Sequence, residues 1–218
     1  MSTALYEIGT RVQNGLVLFG VEIREKGGAE PMVDLKVSEG VTLDEALQDL
    51  LRQLPEYTLE VVSKHVINIY PQGAKDDAKD PLNMRVKRFD FVNRQISEFM
   101  NYPGGCIPEL AKRLVQRTEG PPYPVEFSEE WATSPYEPKT TLHLRNVTVR
   151  EVLNAASKAT IAYPFKAPPL GWSSLFHPDP AWAVGGTYQW RAFWCASMSW
   201  KKPSKPSSGG THVVSMPN

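Results

Sequence analysis

The stretch Val41-Thr-Leu-Asp-Glu-Ala-Leu-Gln48 occurs a second time, in similar form, as Val147-Thr-Val-Arg-Glu-Val-Leu-Asn154. In each copy a threonine stands three residues before a glutamate, which is the spacing of a capping box at the start of a helix. Apolar residues follow at helical spacing and predict an amphipathic helix that packs on a sheet. The first apolar stripe runs to Leu54, and Pro55 ends it. Two such starts predict a repeated β-α unit.

Segments of strand-like sequence surround the first predicted helix. Residues 16–23 are apolar and rich in strand formers, and residues 33–37 alternate between apolar and polar side chains. The full prediction for this half is a helix over residues 4–14, strands over 16–23 and 33–37, the capped helix, and a hairpin of strands 57–62 and 65–70. Residues 72–81 are polar and contain proline and glycine, which predicts a linker.

The second half repeats this arrangement with interruptions. The sequence predicts a strand over residues 82–91, a helix capped by Asn93, a helix from Ile107, a strand at 142–144, the second capped helix and a strand over 188–194. Residues 121–139 and 164–186 are rich in proline and are predicted to be insertions. Residues 201–218 contain too few apolar residues to fold and are predicted to form a flexible tail.

Composition excludes several classes of protein. The chain has 218 residues, of which 41% are apolar, as expected for a globular protein. Its 24 basic and 24 acidic residues give a formal charge of zero, which disfavours a nucleic-acid-binding groove. The longest apolar run is much shorter than the roughly 18 residues that a membrane-spanning helix needs. The N-terminus has no secretory leader, so either the protein stays in the cytoplasm or the sequence begins after a leader.

Residues suited to catalysis or metal binding are few. The four histidines are scattered, two cysteines cannot complete a structural zinc site, and the glycine pairs match no phosphate-binding loop. We therefore expect no metal and no cofactor. Cys106 lies at a predicted helix start, where a thiol can be activated, and Glu129 and Glu130 are adjacent carboxylates. A small hydrolase that uses Cys106 or the two glutamates is the alternative to a non-catalytic protein.

Tryptophans are concentrated in the last third of the chain. Alternation places Trp190 and Trp194 on the core side of a strand. Trp172 and Trp182 lie in the proline-rich insertion at 164–186, where we expect them at the surface. Together with Trp131 in the other insertion they are candidates for contact with a partner.

Residues 4–70 contain the capped Val-Thr-Leu-Asp-Glu-Ala-Leu helix, followed by a Tyr-x-Leu-x-Val hairpin that ends in Val-Ile-Asn-Ile. This order of segments resembles the secretin and TonB short N-terminal domain family. Residues 82–195 resemble a second, divergent copy. The resemblance implies that a first strand lies upstream of Met1. It also implies small α+β modules of the bacterial cell envelope that dock other proteins and carry no catalytic residues.

We therefore predict an α+β protein of two tandem β-α-β units, residues 1–71 and 82–200, with helices packed on small mixed sheets. The resemblance predicts a non-catalytic interaction module in the periplasm or cell envelope, whose partner is another protein and not a nucleic acid. Recognition would use an exposed sheet edge or the proline- and tryptophan-rich insertions. In an exported protein, Cys106 and Cys195 are candidates for a disulfide.

Overall fold

The computed structural model describes residues 1, 4–5, 8, 17–24, 31–35, 37–38, 40–101, 103–110, 139–161, 170–177 and 187–194. Its strands are β1 (Leu18–Arg24), β2 (Tyr57–Ser63), β3 (Val66–Pro71), β4 (Arg85–Gln95), β5 (Lys139–Thr148), β6 (Leu170–His177) and β7 (Thr187–Trp194). Its fully described helices are α1 (Leu43–Gln53), α2 (Ile96–Asn101), α3 (Pro103–Cys106) and α4 (Val149–Thr160), with 3₁₀ turns at Ala74–Asp76 and Pro81–Asn83. Residues 4–5, 8 and 108–110 are helical as well. The predicted α+β class is confirmed.

The main sheet has five strands in the order β2-β3-β1-β6-β7. β1 lies at its centre and runs parallel to both β3 and β6, while β2 and β7 are antiparallel to their neighbours. β4 and β5 form a separate two-stranded antiparallel sheet. Each of the two capped helices is followed in the chain by a hairpin of the main sheet.

Helix α4 is buried because it contacts both sheets. Val152 and Leu153 lie in a hydrophobic core with Phe89 and Phe91 of β4. Arg150, on another side of the helix, bonds to β1 of the main sheet. The opposite face of that sheet forms a second core with α1, which includes the following residues: Phe19, Val21, Ile67, Ile69, Leu47 and Leu50.

Strands from both predicted units share the main sheet. β1, β2 and β3 precede residues 72–81, whereas β6 and β7 follow them. Within this predicted linker, Ala74 and Asp80 are buried, and Asp80 bonds to β1. Two tandem units are therefore not confirmed, and the boundary at 72–81 stays a prediction.

Several predicted segments differ from the structure. Residues 31–35 and 37 form no strand, although Val37 is buried in the core that α1 forms with the main sheet. Asn93 does not cap a helix, because β4 continues to Gln95. The backbone of Asn93 has a φ of 52°, which asparagine tolerates, and lies next to a shift of register between β4 and β5. Residues 170–177, predicted to lie in an insertion, form β6. β7 completes the five-stranded sheet because it pairs with β6, its neighbour in the chain.

Both predicted capping boxes are present. The backbone N–H of Glu45 donates to Thr42 Oγ1 at 3.3 Å, and the backbone N–H of Thr42 donates to Glu45 Oε2 at 2.9 Å. The corresponding distances at Thr148 and Glu151 are 3.2 and 2.6 Å. These bonds satisfy N–H groups that the first turn of a helix leaves without a partner. The two helices therefore start where the sequence places them.

We expect Thr148→Ala to lower the free energy of unfolding by about 1 kcal/mol, because alanine cannot accept the bond from the first turn of α4. Urea denaturation measures this loss. Thr148→Ser keeps the hydroxyl and should retain most of the stability. A Thr148→Ser variant as unstable as Thr148→Ala would show that the methyl group, rather than the cap, matters here.

Candidate functional site

β2 is an edge of the main sheet, because among the described strands it pairs with β3 alone. Val61 and Val62 are 65% and 43% exposed, and Glu60 is the single charged residue of the strand. Glu60 is itself paired with Lys75. Proteins usually protect edge strands with charges or prolines, since an unprotected edge is a template for another strand. The edge of β2 is therefore a candidate docking surface.

The hydrogen-bond pattern defines which backbone groups of β2 face outward. The backbone N–H of Gln72 donates to the carbonyl of Glu56 at 2.8 Å, one step beyond the pair formed by Tyr57 and Pro71. Pairs in an antiparallel ladder alternate between those that exchange hydrogen bonds and those that do not. It follows that Leu59 directs its N–H and C=O away from β3. Val61 occupies the next equivalent position, just before the shift of register between Val61 and Ser63.

A group of charged side chains is buried where β1, α4 and the second 3₁₀ turn meet. Glu22, Asp80 and Arg150 are 1%, 2% and 3% exposed. Arg150 donates to Glu22 Oε2 from both terminal nitrogens, at 3.2 and 3.1 Å. Arg24 donates to Glu22 Oε1 at 3.1 Å and to Asp80 Oδ2 at 3.3 Å. We call these four residues the buried charge network; it links segments from both halves of the chain.

The network contains a carboxyl group with a changed acidity. Burial raises the pKa of Glu22 from 4.5 to about 7, and the adjacent carboxyl of Asp80 adds to the increase. Arg150 and Arg24 lower the pKa but do not outweigh these effects. Nearby, burial raises the pKa of Tyr57 to about 12, while its hydroxyl oxygen accepts a bond from the backbone N–H of Arg24. The network can therefore exchange a proton near neutral pH.

Enclosure limits what the buried charge network can do. Arg24 is the most exposed member, with 36% of its side chain accessible, whereas the Glu22 and Asp80 side chains are at most 2% accessible. Carboxylates with shifted pKa values often mark catalytic sites, but ion pairs within a fold shift them as well. Because a substrate has little access to Glu22, we assign the network the role of joining β1, α4 and the turn.

A second cluster of charges lies on the exposed face of β4 and β5. Asp90 lies 2.8 Å from His143 Nδ1 and accepts a bond of 2.9 Å from Arg145, and it also contacts Arg88. These contacts hold the pKa of Asp90 well below its usual range. Arg88 and Arg145 are direct cross-strand neighbours, a placement that is unfavourable for like charges. Asp90 offsets their repulsion, so the cluster is explained by strand pairing.

Cys106 lies between two helical segments. It is the last residue of α3, and residues 108–110 that follow it are also helical. The side chain is half-buried against the core that contains Phe89, and burial raises the pKa of its thiol. The raised pKa weakens the reason for expecting an activated thiolate at this position. Cys195 lies outside the described residues, so the disulfide stays a prediction.

Trp172 is not at the surface. It belongs to β6, is 1% exposed, and donates from Nε1 to Asn154 Oδ1 of α4 at 2.9 Å. The expectation of an exposed Trp172 is therefore wrong, because the segment around it is a strand of the main sheet. The other predicted contact and catalytic residues lie outside the described part of the chain: Trp131, Trp182, Glu129 and Glu130.

The buried charge network was not predicted from the sequence, although two signals were present. Glu22 interrupts an apolar run between Val21 and Ile23, and Arg150 lies within the apolar stripe of its helix. A charge that interrupts such a pattern predicts a buried partner elsewhere in the chain, because an unpaired buried charge is strongly unfavourable. The sequence does not say which residues provide that partner.

Neither a metal site nor a membrane span is found in the part of the chain that the structure describes. No group of three or more metal-binding side chains comes together there. No described helix has the length and apolar character needed to cross a bilayer.

Comparison of the sequence and the structure with protein-family models, with curated proteins and with solved structures finds no significant match. The resemblance to the secretin and TonB short N-terminal domain therefore stays a prediction.

Proposed function

We propose that this chain is a non-catalytic protein-interaction module of the bacterial cell envelope, and that the edge of β2 binds an extended segment of a partner protein. The exposure of Val61 and Val62 on an outer strand carries the proposal. An added strand bonds to outward backbone groups and contacts exposed side chains of the edge. In β2, the outward backbone groups of Leu59 and Val61 would bond to the added strand. The exposed side chains of Val61 and Val62 would contact its side chains.

The location in the envelope is supported by the sequence resemblance over residues 4–70. That stretch includes α1, β2 and β3, so the proposed binding edge belongs to the region that carries the resemblance. In this proposal the buried charge network and the two capped helices support the sheet and do not contact the partner.

Val61→Pro tests the proposal directly. Proline removes the outward N–H of residue 61, and such a change is tolerated best on an edge strand. We expect Val61→Pro to abolish capture of the partner, whereas Val61→Thr, which keeps the N–H and the branched shape, should retain capture. Wild-type and variant proteins are immobilised and incubated with envelope extract from the organism that encodes the chain. Quantitative mass spectrometry then compares the proteins that each variant retains.

A genuine partner should be retained by wild type and Val61→Thr and depleted at least tenfold by Val61→Pro. Circular dichroism of Val61→Pro must first show the wild-type secondary structure. If all bound proteins remain equally abundant on a folded Val61→Pro variant, recognition through the β2 edge is wrong.

A further inference from the structure

The layer between α4 and the main sheet contains several buried polar side chains. Asn68 of β3 and Ser174 of β6 are 1% and 0% exposed. Arg150, Asn154 and Ser157 occupy positions i, i+4 and i+7 of α4 and therefore share one face of the helix. Arg150 and Asn154 bond to residues of the main sheet, which places Ser157 on the side of the helix that faces it.

Hydrogen bonding in this layer is incomplete. The following side-chain atoms are buried and have no hydrogen-bond partner among the described residues: Asn68 Oδ1, Asn68 Nδ2, Arg150 Nε, Ser157 Oγ and Ser174 Oγ. They are all the atoms of this kind in the described part of the chain, and all belong to β3, β6 or α4. Buried polar groups in folded proteins are nearly always bonded to protein atoms or to ordered water.

The register of the strands brings these groups to one face. Gly20 of β1 is paired with Asn68 on one side and with Trp172 on the other, and Glu22 is paired with Ser174. Residues directly opposite each other share a face, and that face reverses with each residue along a strand. Asn68, Glu22 and Ser174 therefore lie on the same side of the sheet, beneath α4.

We propose that this layer is an internal hydration site, in which ordered waters bond to Asn68, to Ser174 and to Ser157 of α4. The Asn68 amide and the hydroxyls of Ser174 and Ser157 can each donate and accept hydrogen bonds. Water suits them because it also donates and accepts hydrogen bonds. A charged ligand is disfavoured, because the carboxyl groups of the adjacent buried charge network already bond to its two arginines. Internal waters typically make about three such bonds.

The space directly over Gly20 is already filled by protein atoms and therefore holds no water. A Cβ added to Gly20 would lie 2.3 Å from Asn68 Oδ1 and 2.5 Å from the Trp172 ring, so the side chains already approach the backbone closely there. This inference does not depend on the proposed function of β2.

Magnetic relaxation dispersion of ¹⁷O water nuclei, which detects long-lived internal water in solution, tests the proposal. The wild-type protein should show a dispersion amplitude that Asn68→Leu, similar in shape but without polar atoms, reduces by at least one water per protein. Ser174→Ala should reduce it as well. Thr58→Val, a comparable loss of a hydroxyl on β2, should leave the amplitude unchanged.

Equal amplitudes in wild type, Asn68→Leu and Ser174→Ala would overturn the proposal. If Asn68→Leu does not fold, Ser174→Ala and a high-resolution crystal structure of the wild type decide the matter. Water bonded to Asn68 in that structure supports the hydration site, whereas direct bonds from Asn68 to protein atoms contradict it.

Discussion

Gly20→Ala is expected to destabilise the protein by about 3 kcal/mol, the upper part of the usual range for overpacking a core. The added Cβ would lie 2.3 Å from Asn68 Oδ1 and 2.5 and 2.6 Å from two ring atoms of Trp172. Neither neighbour can move into solvent, because each is 1% exposed. Displacing the ring would also disturb the 2.9 Å bond from Trp172 Nε1 to Asn154 Oδ1.

Chemical denaturation of wild type and Gly20→Ala measures this effect. Gly73→Ala is a useful comparison, because its Cβ would meet no atom within 4 Å but must adopt a φ of 77°. Backbone strain alone should then give a loss of about 1 kcal/mol. Trp172→Phe removes part of the clashing ring, so the double variant should be more stable than the sum of the single effects implies. Additive effects would contradict a direct clash between positions 20 and 172.

Sequence predicts the locally determined parts of this fold well. The capping boxes at Thr42 and Thr148 depend on residues three apart, and the β2–β3 hairpin joins strands that are adjacent in the chain. Contacts between distant segments are different, because many pairings of strands satisfy the same local pattern. The pairing of β1 with β6 therefore could not be predicted from periodicity.

The same distinction applies to the candidate sites. An exposed edge on β2 follows from the hairpin prediction together with the position of β2 at the end of the strand order. The burial of Trp172 depends on Gly20, which leaves space beside the ring, and on Asn154, which accepts its bond. No local pattern connects those three positions. Proline-rich flanking sequence therefore suggested a surface location that the tertiary contacts do not allow.

The buried charge network predicts that stability declines as pH increases from about 4.5 through about 7. In this range folded Glu22 retains a proton that the unfolded chain has released, so the folded state binds more protons. The free energy of unfolding must then fall with increasing pH. The difference between 4.5 and about 7 corresponds to a loss of about 3 kcal/mol, at roughly 1.36 kcal/mol per pH unit.

Glu22→Gln isolates this contribution, because glutamine resembles the protonated carboxyl and does not titrate. We expect the wild-type free energy of unfolding, measured relative to Glu22→Gln in urea, to fall by about 3 kcal/mol between pH 4.5 and 8. Val61→Thr changes no ionisable group and should follow the wild type across the same range. A free energy of unfolding that stays constant relative to Glu22→Gln between pH 4.5 and 8 would mean that Arg150 and Arg24 outweigh burial and hold Glu22 ionised. The network would then be a conventional set of ion pairs.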